Sequence, residues 1–401
     1  MRKVAVLVAG TLLAGLLTAT PQAAAAPDHT AGRYQPIAAT RVLDTRTGLG
    51  GYRGLVSPRR TVTFPVSASA AGTWQAAVLV VTVPTPAPAG SLSVYPSGTT
   101  WDGRVTMTLT GGGNIQQQLT VGLGADGRVT IRSNAARPTN LLVDVLGYYA
   151  AGTAAVTGMF TVASGRVLDT RKGTGTAVRA GRKVTLALAG RVGIPAGGAV
   201  AVVANVAVLA PRSTGQLVIT DGDGSQATPR LRFTGSQAAP QTMQTQRTLR
   251  LGGDANLSFT NSSAGSVHLV VDVFGYFLRG GLEPDFFDFG YYVPLSPQPA
   301  TALVLHGRPP VEIRLAPADG SWEAANLVIT TDRPSQPVAL GVWATAAWSG
   351  SPVVSSSAWL QPTELTVGMA GDSVMVRGLS GTADVALHLS VTGYYGVSPG
   401  V

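Results

Sequence analysis

The chain has 401 residues, no cysteine, a formal net charge of +9, 45% hydrophobic residues and only 12% charged residues. Without cysteine there is no disulfide scaffold, and so much apolar residue with so little charge excludes a disordered chain, so each unit needs an ordinary apolar core. The 50 Gly and 26 Pro punctuate short segments rich in Val, Thr and Leu, which argues against helices and for an all-β chain.

The first element is an expected signal peptide over residues 1–26. Arg2 and Lys3 precede an apolar run from Val4 to Leu17, and Ala23 to Ala26 supply the small side chains a signal peptidase needs, which puts cleavage near Ala25 or Ala26. The run is shorter than the ~20 residues of a membrane span. No second candidate span occurs downstream, so the expected product is secreted and extracellular or wall-associated, with no transmembrane anchor after cleavage. Losing Arg2 and Lys3 lowers the net charge by two and leaves the chain moderately basic. Lysine occurs only at positions 3, 172 and 183, so the positive charge is almost all arginine, which reads as scattered among strands.

Internal repeats organise the rest of the chain. Arg41-Val42-Leu43-Asp44-Thr45-Arg46 recurs as Arg166-Val167-Leu168-Asp169-Thr170-Arg171, each copy leading into a Gly-rich turn. Each also has a matching end, Asp144-Val145-Leu146-Gly147-Tyr148-Tyr149 and Asp272-Val273-Phe274-Gly275-Tyr276-Phe277. A third end, Ser390-Val391-Thr392-Gly393-Tyr394-Tyr395, implies a third copy whose start has diverged, although Tyr292-Val293-Pro294 lines up with Tyr34-Gln35-Pro36. The expected units are 33–150, 158–278 and 290–397, joined by linkers at 151–157 and 279–290.

Strands are legible within each unit. Val105, Met107 and Leu109 alternate with polar residues, as do Val311, Ile313 and Leu315, the period of a half-buried strand. Ala77 to Val83 and Val200 to Val206 are apolar on both faces and predict central, doubly covered strands. Seven or eight strands per unit with turns about every ten residues predict three tandem antiparallel β-sandwich modules, immunoglobulin-like or jelly-roll, the third degenerate.

The pairing of Arg-Val-Leu-Asp-Thr-Arg with a distal Asp-Val-x-Gly-Tyr resembles a repeat module of secreted actinobacterial proteins, over residues 41–149 and 166–277. The resemblance implies a non-catalytic accessory or surface function.

Chemistry-bearing motifs are few. His29, His268, His306 and His388 are isolated, and there is no Gly-x-Ser-x-Gly elbow, phosphate loop or His-Glu-x-x-His. Gly371-Asp372-Ser373-Val374 resembles the nucleophile block of GDS-type esterases, but too few residues follow Ser373 to supply that fold's later blocks, and a turn into a strand accounts for it. Asp221-Gly222-Asp223-Gly224 offers too few oxygens for calcium and reads as a hairpin turn. Trp101 and Trp348 sit in comparable loops and are candidates for stacking on a sugar. No metal, cofactor or specific nucleic-acid site is expected, and the candidate partners are a cell-wall glycan or an anionic wall polymer. Oligomeric state is not legible.

The repeated motif is read as a polar clasp between the first and last strands of each unit. Arg41, Asp44, Arg46 and Asp144 form it in the first, and Arg166, Asp169, Arg171 and Asp272 in the second. Either arginine of a copy is expected near the distal aspartate. The diverged third start and Ser390 lose both partners together, as paired charges require. The expectation is a non-catalytic surface or wall-associated binding or structural protein; the alternative is a secreted esterase-like hydrolase.

Overall fold

The computed structural model describes residues 33–396 except 68–73, 86, 102, 104, 113, 151–157, 173–175, 239–241, 280–290, 295–300, 306–308, 316–321, 332–337, 345–353, 357–362 and 380–384. The expected signal peptide, His29, His306, Trp348 and nearly all of both linkers therefore lie outside the described residues.

The first unit comprises β1 (Tyr34–Asp44), β2 (Thr61–Pro65), β3 (Trp74–Val83), β4 (Ala87–Pro96), β5 (Met107–Gly112), β6 (Ile115–Gly122), β7 (Arg128–Ser133) and β8 (Leu142–Ala150). The second comprises β9 (Gly158–Asp169), β10 (Lys183–Ala187), β11 (Ala199–Leu209), β12 (Gly215–Asp221), β13 (Leu231–Phe233), β14 (Met243–Arg250), β15 (Asn256–Ser263) and β16 (His268–Arg279). The third comprises β17 (Tyr291–Pro294), β18 (Thr301–Leu305), β19 (Val311–Arg314), β20 (Trp322–Thr331), β21 (Val338–Trp343), β22 (Val354–Ser356), β23 (Thr363–Gly368), β24 (Ser373–Gly378) and β25 (Val385–Gly396).

Strand order settles the topology. The first unit has an inner sheet β1-β8-β3-β6 and an outer sheet β2-β7-β4-β5. The second repeats this as β9-β16-β11-β14 and β10-β15-β12-β13, and the third as β17-β25-β20-β23 and β19-β24-β21-β22, all antiparallel. Eight strands in this order make the double Greek key of a jelly roll rather than an immunoglobulin sandwich. The divergent start of the third unit is a first strand in two pieces, since β17 and β18 both pair with β25. Val105 is 36% exposed and precedes β5, so the alternating stretch begins at Met107 instead.

The three inner sheets face one another. In β3, Ala77, Leu79, Val81 and Val83 enter the core of their own sandwich, while Ala76, Val78 and Val80 enter a shared cluster between units. Likewise in β11, Val202, Ala204, Val206 and Val208 face inward and Ala201 and Val203 face the shared cluster. This double burial is why these strands lack polar alternation. Tyr34 also pairs with Gly158, fusing two inner sheets into one of eight strands.

Six aromatic residues, each at most 1% exposed, fill the junction: Tyr34, Phe160 and Tyr292 from first strands and Tyr149, Phe277 and Tyr395 from last strands. Their contacts run around a ring. Tyr34 meets Phe277 of the second unit at 4.5 Å between centroids, Phe160 meets Tyr395 of the third at 4.4 Å, and Tyr292 meets Tyr149 of the first at 4.4 Å. The Tyr149 and Tyr395 hydroxyls hydrogen-bond at 2.6 Å.

A second ring of side chain to backbone bonds runs the same way. The Gln118 side chain accepts from Thr248 N at 2.8 Å and donates to Thr248 Oγ1 at 3.2 Å. Gln246 accepts from Thr366 N at 2.6 Å and donates to the Thr366 carbonyl at 3.0 Å. Glu364 closes the ring, both its oxygens accepting from Thr120 N at 2.7 and 2.8 Å. One surface of each unit thus meets a different surface of the next, and three steps close the circle, a heterologous ring within a single chain.

The recurring Gly-Tyr has a steric origin in this junction. A Cβ on Gly147 would lie 2.5 Å from the Tyr34 ring, and one on Gly275 or Gly393 would overlap the ring of Phe160 or Tyr292. Each first-strand aromatic lies flat over the last-strand glycine of its own unit, which only a missing side chain permits.

Candidate functional site

The repeated hexapeptide occupies the end of the first strand, beside the last. In the first unit Arg41 pairs with Asp144 across the ladder, and its guanidinium donates bidentately to that carboxylate, Nε to Oδ1 at 2.7 Å and Nη2 to Oδ2 at 3.0 Å. In the second, Arg166 does the same to Asp272 at 2.9 and 3.3 Å. Arg46 and Arg171 do not reach the distal aspartates. They fold back on the aspartate within the motif: Arg46 Nη2 lies 2.6 Å from Asp44 Oδ2, and Arg171 Nη2 lies 2.8 Å from Asp169 Oδ2. Arg41 and Arg166 also touch Asp44 and Asp169, at 3.4 and 3.3 Å, so each copy is one network of two arginines and two aspartates.

A β-bulge at Val42 and Val167 sets this up. The register slips between Arg41 and Leu43 and again between Arg166 and Leu168, which keeps the arginine on the face of the distal aspartate while the strand turns. Leu43 is fully buried. Thr45 accepts from Leu141 N at 3.1 Å and bonds Asn140, while Thr170 accepts from Leu269 N at 2.9 Å and bonds His268 Nδ1 at 3.1 Å. The following turn needs glycine, since Gly50 has φ +82° and a Cβ there would meet the Val42 carbonyl at 2.6 Å.

Electrostatics follow from these contacts. The Arg46 side chain is the largest influence holding the Asp44 carboxyl below the ordinary range, against partial burial. Arg171 pulls Asp169 further down still. Both aspartates stay ionised at any physiological pH and are occupied by their own arginines. An Asp144→Ala variant is expected to lose about 1.5 to 3 kcal/mol, the range for a hydrogen bond to a charged group. Arg41→Ala/Asp144→Ala should lose less than the two single changes together, since neither charge is then left alone. Additive losses in urea denaturation would show that the pair is not coupled.

The other candidates are dispersed. Trp101 has one ring face covered by Arg132, whose Cζ lies 4.3 Å from the ring centroid, so at most the other face could meet a sugar. Ser373 is 6% exposed at the start of β24, and its hydroxyl donates to Glu312 Oε1 at 2.6 Å. Asp221 and Asp223 are joined by Arg250, which ion-pairs with both, and Asp221 also caps the turn by accepting from Ser225 N at 2.8 Å. Among the described residues no group of three or more His, Asp or Glu side chains could hold a metal ion.

Fold and site together define a chain of three jelly rolls closed into a ring, its recurring charged motif spent between strands. No family model and no curated protein matches it. Similar solved structures include one of Sulfolobus Turreted Icosahedral Virus, 12% identical, covering 92% of each chain with a TM-score of 0.18. Another describes the triple jelly roll fold and turret assembly in an archaeal virus, 12% identical, covering 92% of this chain and 91% of that one with a TM-score of 0.19. A third is the N-terminal CBM22-1-CBM22-2 tandem domain from Paenibacillus barcinonensis Xyn10C, 12% identical, covering 58% of this chain and 99% of that one with a TM-score of 0.18. The jelly-roll assignment rests on the chain's own strand order.

Proposed function

We propose that the protein is a non-catalytic, extracellular surface or wall-associated protein that binds or organises wall material. One observation supports this reading: the motif richest in charge, present twice, engages all four of its aspartates with its own arginines. The esterase-like alternative has Ser373 as its nucleophile, and that hydroxyl is held by Glu312 rather than by an imidazole. A nucleophilic serine needs a base that accepts its proton and is itself oriented by a third group.

Co-sedimentation of the leaderless chain with purified cell walls, run beside a hydrolysis assay on the same material, tests the reading. The expected result is retention on the walls without release of soluble fragments, equal in wild type and Ser373→Ala. Release of fragments that disappears in Ser373→Ala would establish the hydrolase instead.

A further inference from the structure

The basic residues that look scattered along the sequence are gathered by the fold. The loop between the first and second strands of the first unit is pinned to the clasp end by Gly54 N to the Thr45 carbonyl at 2.7 Å, by the Val56–Thr139 bridge, and by Arg59 N to the Ser133 carbonyl at 2.6 Å. These bonds bring Arg53, Arg59, Arg60 and Arg137, all exposed, to one end of the sandwich. The second unit repeats the device. Val178 bridges Val267, Gly181 N donates to the Asn261 carbonyl at 2.8 Å, and Asn261 N donates to the Arg182 carbonyl at 2.9 Å. Lys172, Arg179, Arg182 and Lys183 are exposed there.

Charge is uncompensated at both ends. The sequence from 41 to 67 and from 128 to 150 holds Asp44 and Asp144 as its only acids, and that from 166 to 190 and from 256 to 279 only Asp169 and Asp272. All four are buried against the clasp arginines. The clasp therefore uses the local carboxylates internally and leaves Arg53, Arg59, Arg60 and Arg137 exposed at the first end and Lys172, Arg179, Arg182, Lys183 and Arg212 at the second. The third unit differs, because it lacks the Arg-Val-Leu-Asp-Thr-Arg start and has Ser390 in place of the distal aspartate.

We propose that these two ends are equivalent docking surfaces for a linear phosphodiester polymer without bases, of the polyol-phosphate kind, a partner that deepens and rests on the wall-associated reading above. Flexible, delocalised arginine charge on exposed loops suits repeated phosphates. Nucleic acid fits less well. Single strands are held by stacking bases on aromatic rings, and the one aromatic side chain in these loops, Tyr52, is half-buried with its hydroxyl donating to the Leu55 carbonyl. Two such surfaces on one chain also make attachment bivalent.

The test uses the full leaderless chain, with poly(glycerol phosphate), single-stranded DNA of matched charge and neutral dextran as probes across a salt series. Serine replaces Arg53, Arg59, Arg60 and Arg137 of the first unit, Lys172, Arg179, Arg182 and Lys183 of the second, or all eight. Binding of poly(glycerol phosphate) is expected to fall linearly on a log scale with salt, each four-residue variant removing about half the slope and weakening binding about ten-fold or more. Dextran should not bind. Unchanged affinity in the eight-residue variant, or DNA bound more tightly than poly(glycerol phosphate), overturns the proposal. If wall retention persists in that variant, this surface assignment fails while the wall-associated reading stands. If poly(glycerol phosphate) binds as expected but walls do not retain the chain, the reverse holds.

Discussion

Replacing Phe160 by alanine is expected to cost about 3 to 5 kcal/mol of stability, the range for removing a large aromatic side chain from a closed core. The ring is fully buried, 5.2 Å from Phe277 of its own unit and 4.4 Å from Tyr395 of the next, so its loss opens a void at the junction where all three units meet. Gly275→Ala should cost about 1 to 3 kcal/mol by the opposite route, because the new methyl group would overlap that ring and an overfilled core must strain. With the ring gone the methyl group loses its two nearest clashes and keeps one, the Thr161 carbonyl at 2.9 Å, so much of the strain is relieved. The double variant should therefore lose clearly less than the sum of the two, a coupling that chemical denaturation reads directly. Strict additivity would mean that contact with the ring is not what excludes a side chain at Gly275.

These pairs show how far the sequence could be read. The repeats, the antiparallel all-β class and the paired loss of charge in the third unit are visible because each leaves a local signature in composition or spacing. The ring leaves none. Tyr34, Phe160 and Tyr292 occupy matching positions, yet nothing in a single unit says that a first-strand aromatic should touch the next unit rather than its own core. The doubly apolar β3 and β11 hint at a second cover without naming it. Within the clasp, residue types alone could not divide the arginines, because Arg41 and Arg46 are equally able to reach a carboxylate and only the bulge at Val42 decides which faces Asp144. The cationic ends were obscured for a related reason, since Arg53 and Arg137 are far apart in sequence and are brought to one end by contacts such as the Val56–Thr139 bridge. Arg247 remains outside this account. It stands where Leu119 and Leu365 stand, is 2% exposed, and is pulled down to about 10 by burial; nothing in the structure explains it.

The seam between the third and first units is expected to weaken as pH rises, and Glu364→Gln to abolish that weakening. Glu364 occupies the place of Gln118 and Gln246, but a carboxylate lacks the donor that those amides give to Thr248 and Thr366. A protonated carboxyl supplies both donor and acceptor, as an amide does. Burial pushes its pKa up to about 8, with the Thr120 hydrogen bonds opposing. The tyrosines around it, Tyr292 and Tyr395, are raised above the ordinary phenol value, first by burial, so they stay neutral while it titrates. An unfolded glutamate ionises near its ordinary value of 4.5. Between there and about 8 the folded chain holds the proton that the unfolded chain has released, so stability falls with rising pH by up to about 1.4 kcal/mol per unit. Below that window both states are protonated and the group contributes no pH dependence; above it the loss is complete. Glutamine carries no proton to lose, and Gln118 and Gln246 show that it suits this position in the ring. Urea denaturation of wild type and Glu364→Gln should give similar stabilities near pH 4 and a gap of a few kcal/mol in favour of the variant near pH 8. Curves that stay parallel across the series would mean that Glu364 is already ionised in the folded chain, with its charge met by solvent rather than by the seam.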